Sequence, residues 1–133
     1  MHRTDWEKKY DIPKETIEKV TDVFSLAGLF DLRALTNSYV NDAIGMSEDE
    51  AQRLSPACLP VDQARRYPAL HLVLPEHDTA EFFRQTKEYH HLMLRTGVDC
   101  RMKILPDRDH VSMIEALVRP DDELRSYILQ AAR

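Results

Sequence analysis

Glycine is scarce in this chain: Gly28, Gly45 and Gly97 are the only three in 133 residues. A hydrolytic serine on a strand-to-helix elbow needs the pattern G-x-S-x-G, and no serine here has a glycine two residues away on both sides. No His-Gly-Gly stretch is present to form an oxyanion loop. Cysteine is limited to Cys58 and Cys100, and the N-terminal MHRTDWEKKYD lacks the apolar core of a secretory leader. Both cysteines are therefore expected as free thiols, and the setting as cytoplasmic. No apolar run approaches the roughly 20 residues that a membrane-spanning helix needs. Lys plus Arg number 18 against 23 Asp plus Glu, a net charge of −5 with no basic block, which argues against nucleic acid as a partner. What remains is a globular composition, 43% hydrophobic, long enough for one domain with a core of its own.

The chain is organised around residues 70–115. Leu70 to Leu74 is a short, nearly all-apolar run stopped by Pro75, the pattern of a strand buried on both faces. Glu76-His77-Asp78 come next as a polar loop. Thr79 is a candidate N-cap, with Glu81 in the first turn, where a carboxylate suits the helix dipole. Phe82, Thr86, Tyr89 and Met93 then form one helical stripe, with Phe83, His90 and Leu94 beside it. Gly97 stands where a helix C′ residue belongs. Val98 to Leu105 alternates with period two, a strand with one wetter face. Pro106 ends it, Asp107-Arg108-Asp109-His110 make a second polar loop, and Ser112 to Val118 reads as a helix. A right-handed crossover makes the two strands parallel neighbours and puts both polar loops at one edge of the sheet. Active sites of open α/β sheets form at that edge.

Upstream, Lys14 to Val20 reads as a short helix and Val23 to Gly28 as a third strand. Residues 33–68 are about three times as long as the dozen residues that a plain crossover needs. Ser47 and Glu50 form a capping box for a helix to about Leu54, and Pro56, Pro60 and Pro68 keep the remainder of the segment irregular. Such an excursion at the functional edge of a sheet reads as a lid or pocket wall. At the C-terminal end, Asp121 or Asp122 can cap a last helix with Leu124, Ile128 and Ala131 or Ala132 on its apolar stripe. No internal repeat or low-complexity segment is present.

Asp78 and His110 suit the acid and base of a nucleophile–His–acid triad, in which the carboxylate fixes the imidazole tautomer and the imidazole moves the proton. The bland alternative is two solvated loop residues. The nucleophile is missing: Ser112 stands two residues after His110 but has no elbow. His90-His91 with His77 and Asp78 could suggest a metal, but adjacent helical residues point about 100° apart and cannot chelate together, so no metal is expected. Phe82, Phe83 and Tyr89 read as core, and Glu48-Asp49-Glu50 as a solvated helix start.

Several stretches taken together resemble a known family. Ala27-Gly28-Leu29-Phe30-Asp31-Leu32, Tyr39-Val40-Asn41-Asp42 and Ser55-Pro56 resemble the kynurenine formamidases (arylformamidases) of the α/β-hydrolase superfamily. His77 to Gln85 is similar to that family's acid segment, with Thr79-Ala80 where the family usually has Ser-Pro, and Asp107 to His110 is similar to its catalytic His loop. The resemblance runs from about Asp5 to Leu129. It implies Asp78 as triad acid, His110 as general base, and hydrolysis of N-formylkynurenine to kynurenine and formate with no metal or organic cofactor. The excursion at 33–68 would be part of the cap over the aromatic substrate. The family's N-terminal half, with the oxyanion loop and the nucleophilic Ser, has no counterpart here.

The expectation is thus a single partial α/β-hydrolase domain over residues 1–133, the C-terminal part of the fold. It has about three mostly parallel strands, flanking helices and a cap excursion. The substrate is a small aromatic formamide or ester, and the isolated chain is expected to be inactive. An open apolar edge strand would favour self-association or a complementary hydrolase half. The rival readings are a non-catalytic module docking on a full-length hydrolase, and another α/β-hydrolase such as a carboxylesterase.

Overall fold

A computed structural model describes residues 6–62 and 65–131. Asp5, where the resemblance begins, and Ala132 lie outside the described residues.

Three strands form one parallel sheet in the order β1 (Asp22–Leu26), β2 (Ala69–Pro75), β3 (Cys100–Leu105). The central strand is the nearly all-apolar run, and His71 to Pro75 are all buried. Register places Val23, Leu70 and Cys100 side by side, then Ser25, Leu72 and Met102. Alternation sends these to one face and Phe24, His71 and Arg101 to the other.

Among the described residues, seven α-helices accompany the strands: α1 (Trp6–Lys9), α2 (Lys14–Glu18), α3 (Asn41–Ile44), α4 (Glu48–Leu54), α5 (Ala80–Arg95), α6 (Ser112–Glu115) and α7 (Glu123–Ala131). Helix α5 covers one face of the sheet, where Tyr89 and Met93 pack with Leu72, Val98, Cys100 and Phe30. The other face is closed by α6 and α7, with Met113 and Leu124 against Val73, Leu74 and Leu105. The order strand, crossover helix, strand is the one expected, and the sheet is wholly parallel.

Local chemistry explains most boundaries. Asp31 caps a 3-10 turn at Leu32–Leu35 by accepting from Arg33 N–H. Ser47 and Glu50 make a reciprocal capping box for α4. Gly97 takes φ +81° after α5, a left-handed conformation that glycine adopts without steric cost. Asp122 caps α7, its Oδ1 accepting from the N–H groups of Leu124 and Arg125.

Three details differ from the sequence reading. The helix expected over Ser112 to Val118 tightens after Glu115 into a 3-10 turn at Ala116–Val118. Thr79 occupies the N-cap position of α5 but its side chain makes no cap bond; Asp78 Oδ1 instead takes the Thr79 N–H at 2.8 Å. The first strand stops at Leu26 rather than Gly28, because Ala27 has φ +45° and turns the chain out of the sheet.

Candidate active site

Two loops leave the C-terminal ends of adjacent parallel strands. The loop after β2 carries Glu76-His77-Asp78, and the loop after β3 carries Asp107-Arg108-Asp109-His110. Their backbones are laced together: His77 N–H donates to Arg108 O at 2.9 Å, and Glu76 N–H to Leu105 O at 2.9 Å. Glu76 Oε2 accepts from Asp107 N–H at 2.9 Å. The second loop is also anchored from below, where the Arg108 guanidinium donates to Asp122 Oδ2 at 2.9 Å and Asp122 is buried at the start of α7.

This lacing brings His110 Nδ1 to 3.0 Å from Asp78 Oδ2. The Asp78 side chain is 3% exposed and that of His110 is 53% exposed. With Asp78 ionised, Nδ1 carries the proton and donates, which leaves Nε2 as the basic nitrogen. The Phe82 ring meets the imidazole edge to face, with centroids 4.9 Å apart. Asp78 is thus held by the Thr79 N–H at the start of α5, and His110 is held by Asp78 and Phe82.

Asp109 organises the turn that presents His110. Its Oδ1 accepts from Val111 N–H and Ser112 N–H, and Ser112 Oγ accepts from Asp109 N–H. The Ser112 backbone bond, first among these, holds the Asp109 carboxyl below its ordinary range. Ser112 is therefore a turn residue, with its hydroxyl bonded back to the loop.

The histidines that could suggest a metal in the sequence are dispersed in the fold. His90 Nε2 lies 3.1 Å from Cys100 O, and His91 is exposed on the neighbouring position of α5. Ligand atoms of Glu76, His77 and Asp107 do come within 4.8 Å of one another at the surface. All three are exposed, and Glu76 already serves the Asp107 N–H. Both cysteines are free, and burial pushes the Cys100 thiol up to about 12.

Sequence reasoning missed three supporting groups. Phe82 reads as core from its spacing, yet it also flanks His110. Asp122 reads as a cap, yet its second oxygen anchors the His loop. Gln85 looks like a polar interruption of α5, yet it is buried and holds the segment that follows β1 onto that helix. Its Oε1 accepts from Phe30 N–H at 2.9 Å and Asp31 N–H at 2.8 Å, and its Nε2 donates to Asp31 O at 3.0 Å. The available signal was position: residue 85 lies on the same helical stripe as 82, 86, 89 and 93.

An apolar cavity of about 230 Å³ lies elsewhere, under the excursion and against the α5 face of the sheet. Val23, Leu70 and Val98 line it from the sheet side, so it sits toward the N-terminal ends of the strands. Neither Asp78 nor His110 borders it.

No protein-family model matches the chain. A kynurenine formamidase of Danio rerio is 28% identical over 130 residues, covering 96% of this chain and 42% of that protein. One of Salmo salar is 28% identical over 131 residues with the same coverage. One of Drosophila melanogaster is 24% identical over 108 residues, 77% of this chain and 36% of that protein. The chain is thus similar, at 24–28% identity, to three kynurenine formamidases. It spans about two fifths of the length of the kynurenine formamidases from the two fishes. A crystal structure from Silicibacter, of a protein described as a candidate thioesterase, superposes with a TM-score of 0.68 at 22% identity. It covers 88% of this chain and 42% of the Silicibacter chain, and supports the α/β fold alone.

Proposed function

We propose that this chain carries the acid–base half of an arylformamidase-like serine hydrolase. In this reading Asp78 is the triad acid, His110 the general base, and the nucleophilic serine comes from outside these 133 residues. The observation that supports it is the 3.0 Å contact between a buried Asp78 carboxylate and an exposed imidazole whose Nε2 is free of protein partners among the described residues.

The chemistry derives from that arrangement. Nε2 accepts the proton of a serine hydroxyl as its oxygen attacks the formyl carbonyl of N-formylkynurenine. The imidazolium is stabilised by Asp78 across Nδ1–H. Nε2–H then passes its proton to the departing aryl nitrogen, the C–N bond breaks, and kynurenine leaves. Water attacks the formyl ester, giving its proton to Nε2, and formate departs as the serine is reprotonated. No step needs a metal or organic cofactor. Without the serine the isolated chain lacks the attacking group, a loss on the order of 10⁶ in rate for such triads.

The test is formate release from N-formylkynurenine. The isolated chain is expected to be inactive. A single-chain chimera in which it replaces the matched 42% of the Danio rerio relative is expected to be active, and His110→Ala in that chimera to abolish turnover. Equal turnover with and without His110 would overturn the assignment. Faster cleavage of an aryl acetate than of the formamide would move the reading to a carboxylesterase.

A further inference from the structure

The loop that carries the candidate base is strung between two core residues. Leu105 ends β3 before it, Met113 follows it in α6, and both pack in one cluster with Leu124 of α7. Between these points the chain turns sharply. Asp107 has φ +52°, a left-handed conformation that a residue with a Cβ keeps only where its surroundings impose it. The His110 side chain is half exposed, so packing alone does not place it against Asp78.

Arg108 is where the restraints on that turn converge. Its carbonyl accepts from His77 N–H at 2.9 Å, which registers its backbone against the residue before Asp78. Its guanidinium runs the other way and donates from Nη2 to Asp122 Oδ2 at 2.9 Å. The Asp122 side chain is 2% exposed and is itself fixed, with Oδ1 accepting from Leu124 N–H at 2.9 Å and Arg125 N–H at 3.1 Å. A carboxylate largely shut off from water holds a guanidinium partner firmly. Glu76 Oε2 also takes the Asp107 N–H, but from an exposed side chain. Asp109 and Ser112 bond to each other and to Val111, so they set the curvature of the turn and not its place relative to Asp78. One residue thus joins the acid loop, the base loop and α7, two positions ahead of His110.

We propose that Arg108 is a positioning residue for the acid–base pair. Clamped to Asp122, it holds the base loop where His110 Nδ1–H meets Asp78. The inference deepens the hydrolase reading above and rests on it for the role of His110. The Nδ1–H bond to Asp78 is what leaves Nε2 free to take a proton. Releasing the loop gives up that bond, lets the imidazole carry its proton on Nε2, and so removes the base. The loss falls on kcat, because Arg108 acts through His110 and not on substrate.

Imidazole nitrogen NMR on the whole chain tests this without turnover. At about pH 9, above the range in which imidazole is charged, His110 is expected to carry its proton on Nδ1. In Arg108→Met the ratio of the Nδ1–H to the Nε2–H form is expected to fall at least about fivefold. Arg108→Lys can remake a single ion-pair bond, and is expected to keep the ratio within about twofold of its original value. Asp122→Asn keeps the oxygen that caps α7 but turns N–H groups toward the guanidinium. It is expected to lower the ratio as Arg108→Met does, and carries the test should Arg108→Met fail to fold. In the Danio rerio chimera, Arg108→Met is expected to lower kcat for formate release at least about tenfold, with KM changed less than about twofold. A ratio unchanged in the folded variants would overturn the proposal even if the urea midpoint fell, since the clamp would then be a staple only. A lowered ratio with kcat unchanged would overturn it as well. A lowered ratio beside a chimera that is inactive with Arg108 in place would keep the positioning role and sink the formamidase reading.

Discussion

His110 Nδ1 and Asp78 Oδ2 lie 3.0 Å apart across 32 residues of sequence, one side chain half exposed and the other buried. That asymmetry separates stability from chemistry. Removing His110 takes the partner from a buried carboxylate oxygen but opens it to water, so His110→Ala is expected to cost no more than about 1–3 kcal/mol and to leave the chain folded. In the active chimera the same change is expected to abolish formate release. Asp78→Asn keeps the shape but favours the wrong tautomer, and is expected to lower kcat by about 10⁴. Urea titration and formate release on the same preparations check both halves.

Gln85 ties the segment that follows β1 to α5. Its amide serves two backbone donors, at Phe30 and Asp31, and gives one bond back to Asp31 O. Gln85→Leu fills the space but leaves the buried Phe30 N–H without a partner. Orphaning one buried donor costs about 1–3 kcal/mol, so a loss in that range is expected by urea titration. Glu88→Gln, on the exposed side of the same helix, is expected to stay within about 0.5 kcal/mol.

The parallel strands, their loops and the meeting of Asp78 with His110 were legible in the sequence because each rests on a local signal. Pro75 and Pro106 stop two apolar runs, Gly97 closes the helix between them, and a right-handed crossover then fixes where both loops emerge. The supporting groups were less legible because each depends on a tertiary partner. The helical stripe places Gln85 on the inward side of α5, but its partners Phe30 and Asp31 come from 55 and 54 residues away. His71 was hidden for the same reason: it sits inside an apolar run, and its partners Asp22 and Tyr127 come from other elements. Ser55 is a further case: its Oγ accepts from Leu32 N–H, 23 residues away, a tie no local signal announces.

Acid is expected to weaken the fold by a nameable route. Five carboxyls sit below their ordinary values: Asp22 through His71, Asp31 through Arg33, Glu50 through the Ser47 backbone, Glu81 through Arg84, and Asp109 through the Ser112 backbone. Glu81 falls to about 2. A carboxyl whose pKa is lower folded than unfolded stabilises the fold above its unfolded pKa, and that contribution is lost as pH falls through the folded value. The urea midpoint is therefore expected to fall from about pH 4.5 down to about pH 2. Glu81, Asp31 and Asp109 lie near the surface, so added salt is expected to flatten part of this slope. A midpoint unchanged between pH 5 and pH 3 would contradict it.

The buried relay at the opposite end of β2 makes the sharpest structural prediction. His71 is 1% exposed, with Nε2 2.9 Å from Asp22 Oδ1 and Nδ1 2.6 Å from the Tyr127 hydroxyl. An ionised Asp22 can only accept, so Nε2 carries the proton and Nδ1 accepts from Tyr127 O–H. The Phe24 ring stacks on the imidazole at 4.4 Å and closes the site from the β1 side. One bond thus ties β1 to β2, and the other ties β2 to α7. Tyr127→Phe leaves Nδ1 buried without a donor and is expected to cost about 1–3 kcal/mol. Asp22→Asn is expected to cost a similar amount by weakening the other bond. Because the two share one imidazole, the double variant is expected to fall short of the sum, with a coupling of at least about 0.5 kcal/mol. Tyr39→Phe, at an exposed tyrosine outside the relay, is the control and is expected to be neutral. Strict additivity in the urea midpoints would mean that the two bonds act independently and that no relay exists.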